Sequence, residues 1–78
     1  MNRLVMYSQP GCAPCRAAER MLNSKGIPFT KTDITEDPEA HALLKRNGFQ
    51  QTPIFGYAGS LHTLADLPDI TRRIKENS

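Results

Sequence analysis

Two cysteines separated by two residues are the only thiols in this chain of 78 residues. Cys12 and Cys15 enclose the motif Cys-Ala-Pro-Cys. A disulfide between them would close a very short loop, and the stabilisation that loop closure provides is smallest for short loops. We therefore interpret the pair as a reactive site rather than a structural crosslink. The chemistry that two neighbouring thiols can carry out is thiol–disulfide exchange.

The position of the pair at the start of a predicted helix supports this interpretation. Cys12 falls at the N-cap and Cys15 at the third helical position. A thiolate at Cys12 would face free backbone N–H groups and the positive end of the helix dipole, and both lower the pKa of a thiol. Cys15 would lie close by but deeper, where its sulfur can attack a mixed disulfide formed at Cys12 and release the product.

Pro14, inside the motif, is predicted to tune the pair. Proline has no N–H, so one backbone donor that could stabilise a Cys12 thiolate is absent, whereas the amide of Cys15 remains. A less stabilised thiolate makes the disulfide relatively more stable, and the pair is then more reducing. The alternative is that Pro14 simply suits the first helical turn.

A second candidate feature is the dipeptide Thr52-Pro53, just before a predicted strand. Proline favours an extended conformation at the preceding residue. If the peptide bond were cis, the backbone N–H and C=O of Thr52 would point sideways and could pair with a substrate peptide as an added strand. The alternative is an ordinary proline that begins a strand.

A metal site is one alternative to exchange chemistry at the cysteines. A zinc site needs about four ligands, and His41 and His62 are the remaining nitrogen partners, at a separation that does not fit the usual spacing. We therefore expect no metal. His41 lies on the polar side of a predicted helix, so we interpret it as a solvated residue rather than a catalytic base.

The sequence predicts secondary-structure elements in the order β-α-β-α-β-β-α. Apolar and β-branched runs predict strands at 4–7, 28–34, 53–57 and 61–63. Helical periodicity and capping residues predict helices at 13–25, at 37–48 and from 67 onward. In the first helix, the buried face is predicted to hold Ala17, Ala18, Met21 and Leu22. Strand–helix–strand alternation implies a parallel pair, and the closing hairpin adds antiparallel strands.

Composition narrows the class of protein. The length predicts one domain over 1–78, with little surface to bury. The net charge of +2 is too small to argue for nucleic acid. The apolar runs are too short for a membrane span or a signal peptide. We expect a cytoplasmic monomer, because reducing conditions there keep paired thiols free for chemistry.

These motifs together resemble the thioredoxin-like superfamily: a strand, Cys-x-x-Cys opening a helix, and Thr-Pro ahead of a hairpin. The segment Tyr-Ser-Gln-Pro-Gly-Cys-Ala-Pro-Cys at 7–15 is similar to glutaredoxins. Three further segments resemble the NrdH-redoxins, glutaredoxin-like proteins that donate electrons to ribonucleotide reductase. They are Lys-Gly-Ile-Pro-Phe at 25–29, Asp-Ile-Thr-Glu-Asp-Pro-Glu-Ala at 33–40 and Gly-Phe-Gln-Gln-Thr-Pro at 48–53.

The resemblance implies a thioredoxin-like fold of glutaredoxin type, with a four-stranded mixed sheet flanked by helices. It implies Cys12 as the attacking cysteine, Cys15 as the resolving one and Pro53 as a cis proline, with Thr52 pairing to substrate backbone. Tyr7 is expected either to line the cleft beside Cys12 or to pack at the strand end. The activity implied is reduction of protein disulfides without an organic cofactor. The client is a disulfide-containing protein, for which ribonucleotide reductase is the candidate.

The chain departs from the family patterns in two places. Gln9 stands where glutaredoxins often carry a Lys or Arg, and Arg16 is either a substitute cation or a solvated side chain. The segment 62–69 matches neither the glutathione-binding pattern nor the NrdH pattern. Within it, Thr63 and Asp66 are candidate substrate-binding residues or simply helix caps.

The sequence is therefore compatible with either thioredoxin reductase or glutathione as the reductant. A glutathione-dependent glutaredoxin is the rival enzyme. A metal-binding module that shares the cysteines across a dimer and a non-catalytic interaction domain are rivals of other classes.

Overall fold

In the computed structural model, which describes residues 3–76, four strands form one mixed sheet with three helices against it. The strands are β1 (Val5–Ser8), β2 (Thr30–Asp33), β3 (Ile54–Tyr57) and β4 (Ser60–His62). The helices are α1 (Ala13–Ser24), α2 (Pro38–Arg46) and α3 (Leu67–Glu76), with a short 3-10 helix at Leu64–Asp66. The predicted order of elements and the four-stranded mixed sheet are confirmed.

The central strand β1 leads directly into the cysteine motif. The sheet order is β2-β1-β3-β4, with β1 parallel to β2 and antiparallel to β3. The hairpin partner β4 runs antiparallel to β3 at the edge. Because β1 is paired on both sides, the loop that follows it starts from a fixed point in the molecule.

The main core lies between one face of the sheet and the helices α1 and α3. Side chains alternate between the two faces of a strand, so Met6, Phe55 and Tyr57 face these helices. The core cluster consists of Leu4, Met6, Ala18, Leu22, Ile27, Phe55, Tyr57, Leu67 and Ile70. On the opposite face lies α2, whose Ala40 and Leu44 are buried.

Capping residues fix where α2 begins. The carboxylate of Asp37 accepts a hydrogen bond from the Ala40 N–H at 3.1 Å, which satisfies one of the free donors of the first turn. Pro38 occupies the first helical position, where a missing N–H costs nothing. Glu39 adds a negative charge near the positive end of the helix dipole. The predicted start of this helix at Asp37 is confirmed.

Three details of the sequence prediction are corrected. Ala17 is exposed, because the buried stripe of α1 runs through Cys15, Ala18 and Leu22 instead. The second strand is shorter than predicted and begins at Thr30. The hairpin turn is tighter, since Ala58 and Gly59 both have positive φ and Ser60 already belongs to β4.

The helices are short. The longest, α1, has 12 residues, and in the part of the chain that the structure describes no helix combines the length and the apolar character needed to cross a membrane.

Candidate active site

The loop between β1 and α1 holds the first cysteine at the edge of the sheet. Gly11 has a φ of 78°, a left-handed conformation that glycine adopts without steric cost. Cys12 follows in an extended conformation as the N-cap of α1, and Cys15 is the third residue of the helix. The local sequence therefore puts the cysteines at the helix N-terminus, where the prediction had them.

The two cysteines form a disulfide and differ in their access to solvent. Their Cα atoms lie 5.3 Å apart. Cys12 is half-buried, whereas Cys15 is 3% exposed beneath the first turn of α1. An incoming sulfur can therefore approach Cys12 far more readily than Cys15.

Three polar groups surround the Sγ atom of Cys12. The backbone N–H of Cys15 donates to this sulfur at 3.1 Å, and the hydroxyl of Thr52 donates to it at 3.3 Å. The Thr52 carbonyl oxygen lies 3.7 Å away. A disulfide sulfur carries no proton, so the carbonyl is a contact in this state and becomes an acceptor only for the reduced thiol.

Pairing of β3 with β1 brings Thr52 to Cys12 from 40 positions along the chain. The paired register ends at Tyr7 and Ile54, so Thr52 lies just beyond the ladder. The Thr52–Pro53 peptide bond is cis. Pro53 is buried and Thr52 is half-buried, so the proline anchors this segment while the threonine stays open to a partner.

A groove runs beside the disulfide along the segment after β4. We call it the Thr63 groove; its volume is about 510 Å³. The side chain of Leu64, 42% exposed, is the large hydrophobic residue that the described part of the chain leaves open to solvent. The groove is lined by Pro14, Gly48, Phe49, Gln50, Gln51, Thr52, Pro53, Ile54, Thr63, Leu64 and Ala65. An extended peptide lying in it would pass both Cys12's neighbour Thr52 and an apolar contact.

A second groove flanks Thr52 on the side of α2. We call it the Lys45 groove; its volume is about 350 Å³. It is lined by Gln9, Ile34, His41, Leu44, Lys45, Gly48, Phe49, Gln50, Gln51 and Thr52. His41 is exposed, as the sequence indicates. The cationic side chain in this groove comes from α2 rather than from position 9.

Two predicted binding residues are not brought to these grooves. Tyr7 packs against Gly56, where a Cβ added to that glycine would meet its ring at 3.4 Å, and it lines a separate cavity with Arg3, Val5 and Leu43. This placement favours packing at the strand end over a position that lines the cleft beside Cys12. Asp66 pairs instead with the Nδ1 atom of His62 at 3.2 Å.

Thr63 does line the groove that bears its name, but it forms no capping hydrogen bond with its side chain. Arg16 is exposed, and its backbone N–H donates to the Cys12 carbonyl at 3.2 Å, but among residues 3–76 its guanidinium forms no hydrogen bond or ion pair with Cys12. Arg16 is therefore better described as a solvated side chain than as a cation that stabilises the Cys12 thiolate.

Sequence reasoning missed two residues and one functional group. Leu64 and Lys45 each line a groove beside the site, and the side chain of Thr52, not only its backbone, contacts Cys12. The available signal for Leu64 was a large apolar side chain in the short segment Thr-Leu-Ala-Asp at 63–66. No comparable signal marked Lys45, which reads as an ordinary charge on the solvent face of a helix.

Among residues 3–76, no group of three or more His, Cys, Asp or Glu side chains is close enough together to hold a metal ion.

Comparison with known proteins gives the family. The glutaredoxin family model matches residues 4–55. The chain belongs to the glutaredoxin family. It is 31% identical to the glutaredoxin-like protein NrdH of Escherichia coli K12 over 72 residues, which cover 92% of this chain and 88% of that protein. It is also 31% identical over 52 residues to an N-acetyl-S-hydroxy-L-cysteine reductase of Bacillus subtilis 168, covering 65% and 56% of the two chains.

A solved structure gives the same family. The NrdH-redoxin of Escherichia coli superposes with a TM-score of 0.79 at 26% identity, covering 90% of this chain and 92% of that one. The fold is thus thioredoxin-like of the glutaredoxin type. This glutaredoxin-family chain is a thiol–disulfide oxidoreductase whose Cys12–Cys15 pair forms the disulfide. Its substrates are disulfide-containing proteins, and a separate reductant regenerates its dithiol.

Proposed function

We propose that Cys12 attacks the client disulfide and that Cys15 resolves the intermediate. The Cys12 thiolate bonds to one client sulfur and expels the other as a thiolate, which takes up a proton. Cys15 then attacks the Cys12 sulfur and releases the second client thiol. The client gains two electrons and two protons, and the redoxin leaves as the Cys12–Cys15 disulfide. The observation that carries this assignment is the difference in access between half-buried Cys12 and Cys15 at 3% exposure.

The client segment is proposed to lie along the Thr63 groove and to pair with the backbone of Thr52. Thr52 follows the end of the β1–β3 register and borders the groove beside the reactive sulfur. Backbone pairing of this kind adds affinity without demanding a particular client sequence. Apolar contact with Leu64 would supply the selective part of the interaction.

Ribonucleotide reductase is the proposed client and thioredoxin reductase the proposed reductant. The support is similarity to the NrdH protein over 92% of the chain and to a solved NrdH-redoxin with a thioredoxin-like activity profile. We further propose that 1–78 acts as one domain and as a monomer in the cytoplasm, where a dithiol reductant can stay reduced.

A trapping experiment tests the order of attack. Cys15→Ser should accumulate a mixed disulfide with a client through Cys12, whereas Cys12→Ser should form none and should lose insulin reduction. Identification of the trapped client decides whether it is ribonucleotide reductase. Full insulin reduction by Cys12→Ser would overturn the assignment.

A second assay identifies the reductant. The oxidised protein is mixed either with NADPH and thioredoxin reductase or with glutathione, glutathione reductase and NADPH, and NADPH oxidation is followed. We expect thioredoxin reductase to reduce the Cys12–Cys15 disulfide, with oxidation of a stoichiometric amount of NADPH. Reduction in the glutathione mixture but not with thioredoxin reductase would instead favour the glutathione-dependent alternative.

A further inference from the structure

The side chain of Thr52 reaches the reactive sulfur directly. Its Oγ1 atom lies 3.3 Å from the Sγ of Cys12. Because the disulfide sulfur has no proton, the hydrogen in this bond belongs to the threonine hydroxyl. Thr52 is half-buried, so the bond is partly shielded from competing water.

The donors that could stabilise a charge at Cys12 are few. The helix start supplies the Cys15 N–H at 3.1 Å, while Pro14 has none to give. Position 9 holds an uncharged glutamine, and in the described part of the chain the Arg16 guanidinium makes no hydrogen bond to the Cys12 sulfur. The Thr52 hydroxyl is therefore one of two hydrogen-bond donors that the described residues direct at this sulfur.

We propose that the Thr52 hydroxyl is a catalytic hydrogen-bond donor that stabilises the Cys12 thiolate. This role rests on the proposed attack by Cys12 and deepens it. The hydroxyl favours the thiolate that begins attack on the client. The hydroxyl also acts during regeneration, when Cys12 is held in a mixed disulfide with the reductant. The reductant's second thiol then attacks the reductant sulfur of that disulfide, and Cys12 leaves as the same thiolate.

The carbonyl and the hydroxyl of Thr52 have opposite effects on the ionisation of the Cys12 thiol. The Thr52 carbonyl at 3.7 Å accepts from the thiol and repels the thiolate, which favours the protonated form. The hydroxyl at 3.3 Å is nearer. A hydrogen bond to an ionised acceptor is also roughly twice as strong as one between neutral groups. The hydroxyl therefore outweighs the carbonyl, and its bond strengthens when the disulfide is reduced to the thiolate.

The test removes the hydroxyl and keeps the shape. Thr52→Val keeps the branched side chain and the backbone carbonyl but lacks the hydroxyl, whereas Thr52→Ser keeps the hydroxyl. Both are made in a Cys15→Ser background, so that Cys12 is the only thiol, and the alkylation rate is followed against pH. We expect Thr52→Val to raise the pKa of Cys12 by about one unit, a tenfold loss of thiolate below the pKa. Thr52→Ser should stay close to the parent.

The redox equilibrium gives an independent readout in the chain with both cysteines. Against a reference dithiol, Thr52→Val should shift the equilibrium about tenfold toward the disulfide, equal to about 30 mV. Circular dichroism confirms folding, and Thr52→Ala replaces the valine variant if that one does not fold. An unchanged Cys12 pKa in the valine variant would overturn the proposal, as would equal shifts in the valine and serine variants.

Failure of the Thr52 proposal can be told apart from failure of the proposal that Cys12 attacks the client. The pKa of Cys12 is measured by alkylation without any client. If Cys12 did not attack clients, the Cys15→Ser protein would trap none, whatever the effect of Thr52 on that pKa.

Discussion

The backbone N–H of Cys15 donates to the Sγ of Cys12 at 3.1 Å, across a turn in which one of the two intervening residues, Pro14, has no N–H. A capping side chain reaches the second and third N–H groups of its helix. Pro14 is the second residue of the helix and Cys15 is the third. The helix start therefore offers Cys12 one donor where most sequences would offer two.

Pro14→Ala is expected to make the pair less reducing. The new N–H at the second helical position can stabilise the Cys12 thiolate, and a hydrogen bond to a charged group contributes about 1.5–3 kcal/mol. The equilibrium with a reference dithiol should shift about tenfold toward the reduced protein, a rise of about 30 mV in reduction potential. Pro10→Ala, at an exposed proline outside the helix, is the control. A potential that stays constant or falls in Pro14→Ala would contradict the expectation.

Leu64→Ser should weaken the interaction with client proteins without weakening the fold. Leu64 is 42% exposed and lines the Thr63 groove, so its remaining surface is available to a client. Burying part of a leucine contributes about 1 kcal/mol, which corresponds to about a fivefold rise in KM for a protein disulfide. We expect kcat and the melting temperature to stay near the parent values, and Leu64→Met to behave like the parent. A fall in kcat with constant KM would place Leu64 outside client binding.

The local features were predictable from sequence, and contacts between distant residues were not. The cysteine motif at a helix start depends on neighbouring residues alone, and so does the Asp37 cap. The contact between the Thr52 hydroxyl and Cys12 spans 40 positions. It depends on the β1–β3 register and on a side-chain rotamer, neither of which a single sequence specifies.

The positions of Ala17 and Tyr7 could not be settled from the sequence, and the physical causes are of the same kind. Ala17 and Ala18 are both small and apolar, so helical periodicity assigned both to the buried face, whereas Ala17 is exposed. Strand alternation gives Tyr7 a face of the sheet. It does not say that Gly56, which has no side chain, leaves room there for the tyrosine ring.

Leu22→Ala is expected to destabilise the fold severely. Leu22 has no exposed surface and lies in the core cluster between α1 and the sheet. Truncation of a buried leucine to alanine costs about 2–5 kcal/mol, and small domains have total stabilities near the lower end of about 5–15 kcal/mol. Urea denaturation should show a lower midpoint with an unchanged slope. The exposed substitution Ala17→Ser should change the free energy of unfolding by about 0.5 kcal/mol or less. Equal effects of the two would contradict the core assignment.

Asp33 at the end of β2 should give the fold an acid-sensitive contribution. The hydroxyl of Thr35 donates to its carboxylate at 2.6 Å and the Thr35 N–H donates at 2.8 Å. These bonds, with the charge of Lys31, hold the pKa of Asp33 below its ordinary value. The folded pKa is thus below the unfolded one, which is about 3.9. The stabilisation is therefore complete above the unfolded pKa and is lost as the pH falls through the folded pKa.

Comparison with Asp33→Asn isolates this contribution, because an asparagine resembles the protonated aspartate and does not titrate. The difference in free energy of unfolding between parent and variant, measured with urea across acidic pH, should be largest above about pH 5 and shrink as the pH falls. Thr35→Val, which removes the hydroxyl donor, should raise the pKa of Asp33 toward its ordinary value in an NMR titration. A difference that stays constant with pH, or an Asp33 pKa unaffected by Thr35→Val, would show that these hydrogen bonds do not favour the ionised carboxylate.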